Sequence, residues 1–138
     1  MLTYITTAPN MKKISSIVID YGKTLREWNI SEDKIIDIEL AMEEVLANIV
    51  AHGYENREVD LANDIEIQLK KYHDYVELMI SDQGNFFDIN THEEPNLGSY
   101  IDSPINGGFG AALIKKVMSE VSCCRENGTN ITILRKFI

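Results

Sequence analysis

The stretch Glu43-Glu44-Val45-Leu46-Ala47-Asn48-Ile49-Val50-Ala51-His52 carries an acid, an amide and an imidazole four residues apart, at Glu44, Asn48 and His52. In an α-helix each step of four turns a side chain by about 40°, so the three lie along one stripe roughly 12 Å long. Val45 and Ile49 open an apolar stripe beside the polar one. A narrow polar file next to a packing face predicts a ligand lying along the helix. A solvated helix face with two ordinary i,i+4 pairs is the plain alternative.

Upstream, Asn29-Ile30-Ser31 is a turn, and Ser31 is a suitable N-cap for a helix from about Glu32 to Ala51 or beyond. Glu32 and Asp33 suit its positive end. Ile35, Ile38, Met42, Val45 and Ile49 form the buried face, and Gly53 is the expected stop. An earlier helix runs from a cap at Asn10 to about Trp28, with Ile14, Ile17, Val18, Tyr21 and Leu25 on one side. Leu2 to Thr7 alternates as a first strand. Downstream, Ile65, Ile67 and Leu69 alternate with polar residues, and so do Val76, Leu78 and Ile80 beyond the turn at His73-Asp74. The two runs predict a hairpin that ends at Asp82. Residues 89–106 hold Pro95, Gly98 and Pro104 without periodicity, and a loop of that length in a compact domain reads as a functional lid or as disorder. A third helix is expected from about Phe109 to Val121, packing through Leu113, Ile114, Val117 and Met118. Asn127-Gly128 then signals a hairpin between Cys123 to Glu126 and Thr129 to Lys136. Hairpin-linked strands with helices on one face imply an α/β (α+β) two-layer sandwich on a mostly antiparallel sheet.

Two glycine-bearing stretches lie far downstream of the first. They are Asp82-Gln83-Gly84-Asn85-Phe86-Phe87-Asp88 and Asn106-Gly107-Gly108-Phe109-Gly110-Ala111-Ala112-Leu113-Ile114. In this order the three stretches resemble the N, G1 and G2 boxes of the GHKL, or Bergerat-fold, ATPase superfamily. Within it they are most similar to the anti-sigma-factor serine/threonine kinases of the RsbW and SpoIIAB type. Each box alone is weak, but the ordered set is specific, and the resemblance covers nearly the whole chain. It implies one ATP-binding domain over residues 1–138, with an ATP lid at about 89–107.

The resemblance also assigns roles. Asn48 matches the asparagine that holds Mg2+ against the ATP phosphates, and a hard cation that keeps several waters suits a single amide oxygen. Glu44 matches the general base that takes the proton of an attacking hydroxyl. Asp82 matches the carboxylate that reads the adenine amine, and Gly84 lets backbone approach the ring. Gly107, Gly108 and Gly110 open a helix whose free N–H groups attract phosphate. His52 and Asp88 match motif positions read as structural, with His52 expected to make a hydrogen bond closing the helix end. In isolation each feature has a bland reading: a surface amide, a solvated acid, an Asp-x-Gly turn, a glycine-rich helix start. One departure stands out, because residues 89–106 contain no Lys or Arg, where the family often places a cation near the phosphates. Its work would fall on magnesium and backbone amides, or on a residue brought in from elsewhere, such as Arg57 or a partner's side chain.

The bulk numbers agree with one acidic, well-packed domain. The chain has 138 residues, 44% of them apolar, and a net charge of −9. That balance argues against a nucleic-acid partner. Cys123 and Cys124 are adjacent, so in a strand they face opposite sides and do not pair. His52, His73 and His92 have no metal-ligand spacing. Met1-Leu2-Thr3-Tyr4 has no basic region followed by an apolar run, and no stretch reaches the roughly 20 apolar residues of a membrane span. No membrane association and a cytoplasmic location are therefore expected.

The function these readings imply is an ATP-binding protein serine/threonine kinase. Its partners would be a sigma factor, which it sequesters, and an anti-anti-sigma (STAS-like) antagonist, which it phosphorylates. A homodimer is a common assembly of the family. Two alternatives stay open. One is a partner-sequestering module without catalysis, favoured by the missing lid cation. The other is a histidine-kinase-type ATPase domain, which would need a phosphoacceptor helix that this chain does not show.

Overall fold

A computed structural model describes residues 2–54, 64–90 and 108–138. Five strands, β1 (Leu2–Thr7), β2 (Ile65–Lys71), β3 (Tyr75–Asp82), β4 (Glu120–Glu126) and β5 (Thr129–Phe137), form one sheet in the order β1-β2-β3-β5-β4. Every neighbouring pair is antiparallel. Among the described residues three α-helices accompany it: α1 (Met11–Glu27), α2 (Glu32–Asn48) and α3 (Gly108–Val117). The expected α/β sandwich is the observed architecture.

The helices form for local reasons and bury the faces their periodicity marks. The Asn10 carboxamide accepts from the Lys12 N–H at 2.8 Å and starts α1. Tyr21, fully buried, donates its hydroxyl to the Ile67 carbonyl at 2.9 Å and ties α1 to β2. Burial pushes its phenol up to about 12, so it remains a donor at all ordinary pH. Ser31 occupies the N-cap of α2 but makes no capping bond there. The Asp33 carboxylate instead takes the Ser31 hydroxyl and then backbone N–H groups, which hold it below its usual range.

Ile65, Ile67 and Leu69 of β2, Val76, Leu78 and Ile80 of β3 and Leu134 of β5 point inward and join Leu25, Ile35, Ile38, Met42 and Leu46 in one core. Towards one end of the sheet the inward positions turn polar. Thr132 lies opposite Ile80 and Asn130 opposite Asp82, and all three polar side chains are buried. That polar end of an otherwise apolar face is where the site forms.

Two elements differ from the sequence expectation. The third helix stops at Val117, and Val121 belongs to β4, which begins at Glu120. Lys136 explains the stop: its ammonium binds the Val117 carbonyl and the Asp37 carboxylate at the helix end, where a cation is favoured. The second difference is at the end of α2. The α-helix gives way to a π-helical turn over Ile49–Gly53, in which Tyr54 N–H donates to the Ile49 carbonyl. The Asn127-Gly128 turn is as expected, with φ of 50° and 80°, the paired left-handed conformation of a tight hairpin.

Candidate functional site

Helix α2 presents Glu44 and Asn48 to α3. A Cβ placed on Gly110 would lie 2.5 Å from Glu44 Oε2 and 3.6 Å from Asn48 Nδ2. Glycine at 110 therefore makes room for the acid and the amide at the start of the helix. Asn48 is buried, and among the described residues its Nδ2 has no hydrogen-bond partner. A buried amide left unsatisfied costs about 1–3 kcal/mol, so it marks a position shaped for something else. Burial is the first cause that raises the Glu44 carboxyl, and the charge of Glu43 adds to it.

The π turn reaches the second stretch. The Asn85 N–H donates to the Gly53 carbonyl at 2.7 Å. A Cβ on Gly84 would stand 2.7 Å from that carbonyl oxygen and 2.8 Å from its carbon. The sequence reading gave Gly84 to close approach of a ligand. The close approach the structure records at Gly84 is to the Gly53 backbone. His52 is exposed and stacks on Phe87, with ring centroids 5.4 Å apart. The four-residue stripe thus keeps Glu44 and Asn48 together, while the wider π turn sets His52 outside them. The contact the structure records for His52 is this ring stacking.

Asp82, the last residue of β3, is buried. Its Oδ1 accepts from the Gly84 N–H at 2.9 Å and from Asn130 Nδ2 at 2.9 Å. Burial is the main cause that pushes its carboxyl up, and the charge of Asp64 adds a little. The Asn130 and Gly84 donors and the Arg125 charge pull it back. Between Asn48 and Asp82 runs a cleft. Val45, Ile49, Phe86, Phe87 and Ile89 give it apolar walls, with Asn130 and Thr132 on its polar floor. Apolar walls around a few convergent polar groups are the usual make-up of a small-molecule site.

The remaining candidates are placed as follows. Asp88 Oδ1 accepts from the Asn90 N–H at 2.9 Å, which closes a turn after the second stretch. Gly108 is the first residue of α3. Gly107, residues 91–106 of the expected lid and Arg57 lie outside the described residues. Among the described residues no group of three His, Cys, Asp or Glu could hold a metal by itself. A cation here would have to share Asn48 with the oxygens of a bound phosphate and with water.

Sequence reasoning missed Asn130, Thr132 and Arg125. The signal was present for the first two. Counting back by twos from Leu134 puts Thr132 and Asn130 on the buried face, where a polar residue calls for a partner.

Comparisons with known proteins bear on this geometry. The family described as "Histidine kinase-like ATPase domain" matches residues 10–136. Serine-protein kinase RsbW of Oceanobacillus iheyensis is 30% identical over 112 residues, which cover 78% of this chain and 68% of that protein. The protein of that name from Staphylococcus epidermidis is 33% identical over 76% of this chain and 67% of its own length. Its Staphylococcus aureus counterpart is 34% identical over 75% of this chain and 66% of its own length. Among solved structures, the RsbU and RsbW domains of a Mycobacterium tuberculosis protein align with 99% of this chain and 32% of that one, at a TM-score of 0.72 and 18% identity. The SiaB–SiaC complex of Pseudomonas aeruginosa aligns with 100% of this chain and 89% of that one, at a TM-score of 0.61 and 12% identity. At such identities these two structures speak for the fold alone.

Proposed function

This chain belongs to the histidine kinase-like ATPase domains, among the RsbW-type serine-protein kinases, and on that footing we propose that it is an anti-sigma kinase that binds Mg-ATP and phosphorylates an anti-anti-sigma antagonist. The observation that carries the site is the buried amide of Asn48, whose Nδ2 faces Gly110 beside Glu44 and has no hydrogen-bond partner among the described residues. An amide offers a donor to a phosphate oxygen and an acceptor oxygen to a hard cation. The donor set therefore fits magnesium held jointly with phosphates, and Asn48 would be its protein ligand. Bound there, the ion would neutralise charge that gathers on the phosphoryl oxygens.

The chain's own residues do the rest. Asp82 accepts the adenine amine at the far end of the cleft, and the Phe86, Phe87 and Ile89 walls exclude water from the base. The N–H groups at the start of α3, with Gly108 and Gly110, take phosphate oxygens, and the sequence motif assigns Gly107 to the same task. Glu44 takes the proton as the serine or threonine oxygen bonds to the γ-phosphorus and the bond to the ADP oxygen breaks. A raised carboxyl pKa suits a group that must hold that proton briefly. We read residues 1–138 as one ATP-binding domain, with its ATP lid at about 89–107.

In the circuit, the phosphorylated antagonist releases the kinase, which then sequesters a sigma factor. The net charge of −9 fits protein partners rather than nucleic acid. Among the described residues no helix is long and apolar enough to cross a membrane. A cytoplasmic homodimer is the working form we propose.

One observation favours a second reading, capture of partners without catalysis: residues 89–106 carry no Lys or Arg to assist the transfer. The test is to mix the chain with γ-labelled ATP and a STAS-type candidate antagonist from the same genome. The kinase reading expects label on a serine or threonine of the antagonist. A stable complex without labelled product supports the second reading and contradicts the first. Acid-labile label on a histidine would point to a histidine-kinase-type domain instead.

A further inference from the structure

Three residues on neighbouring strands share one rung of the sheet. Arg125 of β4 pairs with Asn130 of β5, and Asn130 pairs with Asp82 of β3. Directly opposed residues face the same side, so the three side chains form a row. The row is bonded end to end. Arg125 Nη1 donates to Asn130 Oδ1 at 2.7 Å, and Asn130 Nδ2 donates to Asp82 Oδ1 at 2.9 Å. Both donors also hold the Gly84 carbonyl, Asn130 Nδ2 at 2.8 Å and Arg125 Nη1 at 3.0 Å.

The chemistry of the row runs one way only. A guanidinium can only donate, so the atom of Asn130 that faces it must be the oxygen. The amide NH2 then has to face Asp82 and the Gly84 carbonyl, which are both acceptors. Arg125 thereby fixes the orientation of the Asn130 amide, and Asn130 fixes the rotamer of Asp82 and the loop that carries Gly84.

We propose that Asn130 and Arg125 are specificity-determining positioning residues, which keep Asp82 a hydrogen-bond acceptor and so select 6-amino over 6-oxo purine nucleotides. This rests on the reading of Asp82 as the base-recognising group. An ionised Asp82 accepts from the amine of adenine and repels the carbonyl oxygen of guanine. A protonated Asp82 donates instead and suits the guanine carbonyl. Burial and the nearby Asp64 carboxylate favour the protonated form, while the Asn130 donor, the Gly84 N–H and the Arg125 charge oppose it. Removing Asn130 or Arg125 tips the group towards the wrong partner.

The experiment titrates the full chain with ATP and with GTP from pH 5 to 8, comparing wild type with Asn130→Ala, Arg125→Leu and Asp82→Asn. Asn130→Ala should weaken ATP about tenfold at pH 7, the cost of one hydrogen bond to a charged group. Its ATP affinity should fall away at a higher pH than in wild type, and the preference for ATP over GTP should narrow. Arg125→Leu, at an exposed position, should move all three readouts the same way by less, and it decides the matter if Asn130→Ala does not fold. Unchanged affinity, pH profile and base preference in both variants, with ATP lost in Asp82→Asn, would overturn this inference and leave the site standing. A wild type that binds no ATP would overturn the reading of the site itself.

Discussion

Gly110 lies against the carboxylate of Glu44, so close that a Cβ on the glycine would stand 2.5 Å from Oε2. The contact joins the first and third of the three stretches at their chemical ends. It also separates function from folding, because the atom in the way is the tip of a flexible side chain. Gly110→Ala should therefore push Glu44 aside at little structural cost. Alanine favours a helix over glycine by about 1 kcal/mol, so thermal stability should hold or rise. Phosphoryl transfer should fall at least tenfold. A variant that melts as wild type does and transfers phosphate normally would mean that Glu44 has no part in the step.

Gly84 gives the opposite balance. Its would-be Cβ meets the backbone of Gly53 at 2.7 to 3.0 Å, and a backbone does not swing away. Gly84→Ala should break the bond from the Asn85 N–H to the Gly53 carbonyl and destabilise the fold by about 1–3 kcal/mol, the range for overpacking. Denaturant midpoints measure this directly. An unchanged midpoint would show that the loop and the π turn can separate freely.

The transfer rate should depend on the protonation of Glu44. Burial first, and Glu43 second, raise its carboxyl pKa, so the unprotonated base appears at higher pH than for an ordinary glutamate. The rate should climb with pH to a plateau, with a midpoint higher than an ordinary glutamate would give. Glu43→Gln removes the second cause and should move the midpoint down. A pH–rate profile that Glu43→Gln leaves in place would remove Glu44 from the base role.

Asp82 trades stability for recognition. Its carboxyl pKa is raised in the fold, so the folded state keeps the proton to higher pH than the unfolded chain does. Stability linked to this group is present below the unfolded pKa and is lost as pH rises through the folded one. Asp82→Asn removes that loss and keeps an acceptor for the Gly84 N–H. At pH 7 its melting temperature should equal or exceed that of wild type, while ATP binding disappears. A variant that melts lower and still binds ATP would contradict both halves.

The two-layer fold, the core faces and the pairing of Glu44 with Asn48 were legible in the sequence because helical and strand periods are fixed. Nothing local announces the π turn at Ile49–Gly53, and without it His52 continues the stripe on paper. The end of α3 was misplaced because Val117, Met118 and Val121 fit a helical spacing equally well. The cation that ends the helix, Lys136, arrives from the last strand. Asn130 was readable from the parity of β5, but its worth depends on Arg125 and Asp82 being its neighbours on one rung, which only the strand order supplies.

The most direct test of the account is calorimetric titration of ATP, with and without magnesium, into the wild type and into Asn48→Ala. The expected result is that wild type binds ATP, that magnesium tightens the binding, and that Asn48→Ala binds ATP but loses the magnesium effect. Binding that magnesium strengthens equally in both proteins would contradict the role of Asn48. An absence of heat at millimolar ATP in the wild type would contradict the nucleotide site as a whole.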